Sequence, residues 1–98
     1  MKKRIEKIRT LLREKLPELK GKYKIRSMEL FGSALREDFS KNSDLDILIQ
    51  FEETPTLLKF IELENYLSDL LQIKVDLVMK DSLKTIIRDQ ILIEAEAV

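Results

Sequence analysis

The chain begins with a segment in which apolar residues recur every three or four positions among charged ones. These apolar residues are Ile5, Ile8, Leu11, Leu12 and Leu16. Such a recurrence places them on one side of a helix, where they can be buried together. The pattern predicts an amphipathic helix over residues 3–16, with Pro17 and Gly21 marking its end.

Three later segments follow an extended rather than a helical pattern. They are residues 25–31, which alternate between apolar and polar, residues 45–51, and residues 73–79, which are short and mostly apolar. Successive side chains of a strand point to opposite faces of the sheet. Leu45, Ile47 and Ile49 therefore share one face, and Asp44, Asp46 and Leu48 share the other. The pattern predicts three strands.

Two more helices are expected between and after these strands. Thr54 and Pro55 have the residue types that open a helix, which would run to about Leu71. Its predicted buried residues are Leu57, Ile61, Leu67, Leu70 and Leu71. Ser82 would cap a last helix over residues 83–94, with Ile86, Ile87 and Ile91 turned inward. Helices and strands in this order predict an α/β (α+β) fold, a short mixed sheet flanked by helices.

Composition limits the chemistry available to the chain. Its 98 residues suffice for one small domain over 1–98, without internal repeats or linkers. The 18 basic and 18 acidic residues balance, which argues against strong nucleic-acid binding. The absence of cysteine and histidine excludes disulfides, thiolate or imidazole metal sites and a histidine base. With no apolar stretch typical of a signal peptide or a membrane span, we expect a cytoplasmic protein.

Aspartate occurs where strands usually avoid it. Asp44 and Asp46 begin the second strand, and Asp76 lies between Val75 and Leu77 in the third. Residues two apart on a strand share a face, so the Cα atoms of Asp44 and Asp46 would lie about 6.6 Å apart. A divalent cation with oxygen ligands would relieve the repulsion between such carboxylates. If the strands are neighbours, Asp76 joins them, and a site for two metal ions becomes feasible.

A Gly32-Ser33 pair leaves the first strand ten residues before this acidic pair. Backbone N–H groups in such a turn are suited to bind phosphate. Taken singly, each residue has a simpler interpretation: Ser33 as a helix N-cap, Arg36 as a surface charge, Asp44 as a strand-entry residue, and Asp76 as an edge residue paired with Lys74. Their combination favours phosphoryl or nucleotidyl transfer.

The stretch Leu30-Phe31-Gly32-Ser33, ten residues and Asp44-Leu45-Asp46-Ile47 resembles the signature of the DNA polymerase beta-like nucleotidyltransferases. The length resembles the minimal nucleotidyltransferases, antitoxins of HEPN-domain toxins, and implies a small nucleotidyltransferase fold. This resemblance implies that Asp44, Asp46 and Asp76 are catalytic and bind two Mg²⁺ ions, with Mn²⁺ as an alternative. It also implies nucleotide binding by Gly32, Ser33, Arg36 and Ser43, although Glu37 stands where glycine is usual.

The reaction implied by the resemblance is transfer of AMP from ATP to a tyrosine of a HEPN-type toxin. Two other hypotheses stay open. The chain could neutralise a toxin by occlusion without catalysis, or it could modify a small molecule, which usually requires a further substrate-binding domain. Leucine-rich helix faces over 57–71 and 83–93 are candidates for contact with a partner in a homo- or hetero-oligomer, although core packing is the better explanation for most of these positions.

Overall fold

The computed structural model describes residues 2–32, 44–82 and 93–98, with the backbone alone for residues 2–4. In chain order its elements are helix α1 (Lys2–Tyr23), strand β1 (Ile25–Phe31), strand β2 (Leu45–Phe51), helix α2 (Leu57–Leu71), strand β3 (Val75–Met79), a 3₁₀ turn (Lys80–Ser82) and strand β4 (Glu96–Ala97). No helix within this part of the chain is long and apolar enough to cross a membrane.

The strands form one mixed sheet in the order β3-β2-β1-β4. β1 runs antiparallel to β2 and to β4, whereas β2 and β3 run parallel. Parallel neighbours need a crossover connection, and α2 provides it between β2 and β3. The α+β class and the mixed sheet agree with the fold expected from the sequence.

Helices α1 and α2 cover the same face of the sheet. One core cluster contains residues of α1, of α2 and of one face of β1, β2 and β3. Its most deeply buried members are Leu12, Leu30, Leu45, Ile47, Ile49, Leu63 and Leu67, each 0% exposed. The predicted alternation of β2 is confirmed: Leu45, Ile47 and Ile49 belong to the core, and Asp46 points to the opposite face, which also carries the buried Leu48.

The predicted end of the first helix is wrong, because α1 continues through Pro17 and Gly21 to Tyr23. Proline in a helix removes one backbone hydrogen bond. However, Leu19 and Tyr23 continue the apolar stripe and are only 2% and 6% exposed. Burying these two large side chains outweighs the loss of a single hydrogen bond.

Helix α2 starts later than predicted and buries only part of the predicted set, since Leu67 and Leu71 are confirmed. Its N-cap is Thr56, whose side chain accepts a hydrogen bond from the Lys59 N–H. The buried residues are Leu63, Leu67 and Leu71, whereas Leu57 and Ile61 are 74% and 43% exposed. The apolar residues of α2 occupy more than one side, so periodicity alone cannot select the buried one.

The remaining differences concern the C-terminal third. β3 begins at Val75 rather than at Ile73. The predicted last helix lies mostly outside the described residues, and Ile93 and Glu94 are helical. The two-residue strand β4 was not predicted, since two residues carry no readable alternation. Two arginines of α1 bind this C-terminal segment. Arg9 forms an ion pair with Glu96 at 3.2 Å, and Arg13 donates a hydrogen bond to the Val98 carbonyl oxygen at 3.1 Å.

Candidate active site

Two of the predicted site residues lie side by side in the sheet. Asp46 of β2 and Asp76 of β3 are register partners on neighbouring parallel strands. Their side chains share the face opposite the helices, and both residues are half-buried. Adjacent strands are about 4.8 Å apart, so the backbones of Asp46 and Asp76 are about that far apart and their carboxylates leave the sheet on the same face. The structure thus places Asp46 and Asp76 on neighbouring strands, as the sequence analysis expected. Their chemical role stays a prediction.

Gly32 follows β1 and lies directly against the Asp46 carboxylate. Its φ is +64°, a conformation that residues with a side chain rarely adopt. A Cβ placed on Gly32 would lie 2.6 Å from Asp46 Oδ2, well inside van der Waals contact. Glycine at this position therefore satisfies two requirements. It permits the backbone turn at the end of β1, and it leaves room for the carboxylate.

Asp44 lies at the entrance of β2, two residues before Asp46. Lys74 Nζ is 3.9 Å from Asp44 Oδ2, and both side chains are largely exposed. Lys74 therefore forms an ion pair with Asp44, and not with Asp76 as the edge-strand interpretation supposed. An exposed pair of this kind contributes little to stability. The remaining predicted nucleotide-binding residues, Ser33, Arg36 and Ser43, lie outside the described residues.

The sequence analysis missed an ion pair on the same face of the sheet. Lys80 Nζ lies 2.7 Å from Glu29 Oε1, and both side chains are mostly buried. Glu29 pairs with Leu48, the next residue of β2 on the face that carries Asp46. The Glu29–Lys80 pair thus lies beside Leu48, two residues along β2 from Asp46. The signal that could have found it is Glu29 itself, a charged residue inside a strand at the same parity as Phe31.

The acidic residues have the chemistry of a site for a hard cation. Carboxylate oxygens are the preferred ligands of Mg²⁺. Asp46 and Asp76 are neighbours in register, and Gly32 leaves the Asp46 carboxylate space. Within residues 2–32, 44–82 and 93–98, no three acidic side chains are already grouped as ligands of one ion. The donors fit in type and in strand position, and the three-carboxylate set stays a prediction.

Comparison with known sequences agrees with the motif. Residues 5–98 match the family model of the nucleotidyltransferase domain. A relative from Methanocaldococcus jannaschii, provisionally named a protein adenylyltransferase, is 54% identical over 82 residues, which is 84% of each chain. The protein adenylyltransferase MntA of Thermococcus cleftensis is 48% identical over 90 residues, covering 92% of this chain and 91% of that protein.

Solved structures show the same fold. A chain provisionally described as a minimal nucleotidyltransferase superposes with a TM-score of 0.80 at 35% identity, covering 96% of this chain and 95% of that one. A toxin–antitoxin complex with AMP-PNP gives 0.68 at 30% identity, covering 95% and 70%. A complex of a tri-AMPylated Shewanella oneidensis HEPN toxin with its MNT antitoxin gives 0.61 at 26% identity, covering 98% and 69%.

These matches confirm the predicted minimal nucleotidyltransferase fold and the enzyme class. The family model and the two relatives cover nearly all of the chain, including the described site residues Gly32, Asp44, Asp46 and Asp76. The chain belongs to the nucleotidyltransferase domain family.

Proposed function

We propose that this chain, as a single domain over 1–98, transfers AMP from ATP to a protein side chain in a Mg²⁺-dependent reaction, and that the acceptor is a HEPN-type toxin silenced by the modification. The observation that carries the proposal is the pairing of Asp46 with Asp76 on neighbouring parallel strands, with Gly32 against the Asp46 carboxylate. Relatives named protein adenylyltransferases, and neighbours solved with AMP-PNP or with an AMPylated HEPN toxin, support it.

In this proposal Asp44 and Asp46 hold Mg²⁺, with Asp76 as the third carboxylate and Mn²⁺ as an alternative ion. The metal, when bound, offsets the negative charge of the phosphates and lowers the pKa of the attacking hydroxyl. The hydroxyl oxygen bonds to the α-phosphorus, the bond from that phosphorus to the bridging oxygen breaks, and pyrophosphate leaves. Asp76 orients the hydroxyl or accepts its proton, because the chain has no histidine for this task.

Gly32, together with Ser33, Arg36 and Ser43, would bind the nucleotide phosphates. Gly32 contributes an unobstructed backbone beside Asp46, so the phosphate tail and the carboxylate can approach each other closely. ATP and a cytoplasmic setting belong to this proposal, since the toxin and the nucleotide must meet the chain in one compartment.

The test uses α-labelled ATP, Mg²⁺ and a HEPN-type toxin as the acceptor protein. We expect label on that protein and none when Asp44 is replaced by Asn. The complex should still form, since Asp44 is an exposed residue at a strand entrance. Asp69→Asn is the matched control because Asp69 is exposed on α2 and is none of the proposed site residues, and this variant should transfer label at the wild-type rate.

The alternatives give different results in the same experiment. If Asp44→Asn protects cells from the toxin at wild-type potency, occlusion replaces catalysis as the mechanism. If label appears only in small molecules, the acceptor is not a protein. If wild-type protein transfers no label to any acceptor in Mg²⁺ or Mn²⁺, the proposed reaction is wrong.

A further inference from the structure

Among the strands of residues 2–32, 44–82 and 93–98, β3, which carries Asp76, lies at the edge of the sheet beside β2. The Lys74 carbonyl accepts a hydrogen bond from the Leu45 N–H at 2.8 Å, so the backbone of Lys74 faces β2. Backbone groups of successive strand residues point to opposite sides. The N–H groups of Val75 and Leu77, on either side of Asp76, therefore point away from the sheet.

Two side chains of α2 bind these outward N–H groups. Ser68 Oγ accepts from the Val75 N–H at 3.0 Å, and Glu64 Oε2 accepts from the Leu77 N–H at 2.9 Å. Ser68 also donates its hydroxyl to the Glu64 carbonyl oxygen at 3.0 Å, which fixes its orientation. The outer edge of β3 is thus bonded to α2 on both sides of Asp76.

The spacing of the two acceptors along α2 is close to the spacing of the two N–H donors along β3. Glu64 and Ser68 are four residues apart, a rise of about 6.0 Å along a helix. Val75 and Leu77 are two residues apart, a rise of about 6.6 Å along a strand. A slip of β3 by one residue would break both bonds, since the N–H groups would then face β2. The pair therefore fixes the register of β3 relative to α2.

We propose that Glu64 and Ser68 are positioning residues for Asp76, holding its strand so that its carboxylate stays beside that of Asp46. This inference rests on the proposed function, in which Asp76 is a metal ligand. The β2 ladder holds β3 from one side, and the α2 side chains hold it from the other. Loss of the Glu64 bond lets β3 shift at Leu77, one residue from Asp76, and weakens metal binding before the fold is lost.

The test compares two substitutions at Glu64. Glu64→Leu replaces the carboxylate with an aliphatic side chain and so removes the acceptor, and Glu64→Gln keeps an acceptor oxygen on a side chain of the same length. Two properties are measured: hydrogen exchange of the Leu77 amide by NMR without metal, and the Mn²⁺ dissociation constant by electron paramagnetic resonance. In Glu64→Leu we expect exchange at least about tenfold faster and Mn²⁺ binding about tenfold weaker. In Glu64→Gln both should stay within about threefold of wild type.

Further variants separate positioning from general destabilisation. Asn65→Leu places the same residue at the adjacent exposed position of α2 and should change neither property. Ser68→Ala should speed exchange at Val75 and weaken Mn²⁺ binding by a smaller factor, and it serves in place of Glu64→Leu if that protein does not fold. Asp69→Ala, at another exposed position, is its control.

The outcomes distinguish this inference from the function on which it rests. Rapid Leu77 exchange with wild-type Mn²⁺ affinity in Glu64→Leu overturns the positioning role and leaves Asp76 as a ligand. Equal losses in Glu64→Leu and Glu64→Gln also overturn it, because the charge of Glu64 would then matter instead of its hydrogen bond. If Asp76→Asn itself binds Mn²⁺ like wild type, the proposed role of Asp76 is what fails.

Discussion

The two faces of the sheet are built from the same strands and have opposite chemistry. On one face Leu45, Ile47 and Ile49 are 0% exposed beneath α1 and α2. On the other, Asp46 and Asp76 are half-buried neighbours. Strand β2 contributes to both, with Leu45, Ile47 and Ile49 on the core face and Asp46 on the other. A single strand can therefore be essential to stability at one residue and almost irrelevant to it at the next.

This difference has a physical cause. Aliphatic side chains gain about 25 cal/mol for each Å² removed from water, so the helix-covered face provides most of the stability. Neighbouring carboxylates of like charge repel each other, so an acidic pair costs stability until a cation binds. The two faces should therefore respond in opposite directions to the same substitution.

The largest effect is expected from Ile47→Asn on the helix-covered face. This change removes a fully buried aliphatic side chain and buries an amide among the aliphatic side chains of the core cluster. We expect a loss of about 4 kcal/mol or more in the free energy of unfolding, enough to leave much of the protein unfolded. Urea denaturation followed by circular dichroism measures it. A loss below about 1 kcal/mol would contradict the assignment of Ile47 to the core.

The second prediction concerns the two glycines of the chain, one in each region. Gly32→Ala forces a left-handed residue and places a Cβ 2.6 Å from Asp46 Oδ2. We expect a stability loss of about 1–2 kcal/mol. We also expect a fall in transfer rate of about 100-fold, since displacing a reactive group by about 1 Å has effects of that size.

Gly21→Ala should change stability in the opposite direction to Gly32→Ala. Gly21 lies inside α1, and a Cβ added there meets nothing within 4 Å. Alanine is favoured over glycine in a helix by about 0.8–1 kcal/mol, so this variant should be more stable at an unchanged transfer rate. Thermal melting and the label-transfer assay test both variants. If the two glycine variants behave alike, the contact between Gly32 and Asp46 does not matter to the site.

The division into two faces could be predicted from the sequence because strand alternation is a local property. Asp46 interrupts a run of aliphatic residues, and only one face can accommodate it. The end of α1 could not be predicted, because Pro17 signals a stop locally whereas burial of Leu19 and Tyr23 depends on the rest of the fold. Nor does the sequence reveal that Glu64 bonds to the Leu77 N–H, since that contact depends on how α2 packs beside β3.

A smaller effect on stability is expected from Tyr23→Phe, at the contact between α1 and α2. Tyr23 Oη donates to Glu62 Oε2 at 2.8 Å, joining the end of α1 to α2. Burial, and then the hydrogen bond to Glu62, raise the pKa of Tyr23 from 10.0 to about 12. The same bond is the main cause that lowers the pKa of Glu62 from 4.5. The bond therefore needs a neutral tyrosine and an ionised carboxylate.

The pH dependence of stability follows from the raised pKa of Tyr23 and the lowered pKa of Glu62. The contribution of Tyr23 is complete below pH 10, its unfolded pKa, and is lost as pH rises toward about 12. The contribution of Glu62 is present above its usual pKa of 4.5 and is lost as pH falls below it. Tyr23→Phe should thus lower the melting temperature mainly between these limits. It should also remove the tyrosinate absorbance step near pH 12. An unchanged titration curve would contradict the contact.

The smallest effect on the melting temperature is expected from Asp46→Asn without metal, and its sign is opposite to that of Ile47→Asn. This substitution ends in the same residue as Ile47→Asn, one position away on the other face of β2. Removing one of two neighbouring carboxylates relieves repulsion, so the melting temperature should not fall and is expected to rise slightly. Added Mg²⁺ should then stabilise the wild type more than the variant, since a ligand that binds only the folded state raises its stability. A fall of several degrees without metal would mean that Asp46 holds the start of β2 by hydrogen bonds. The two faces would then differ in polarity, but substitutions on both would lower stability.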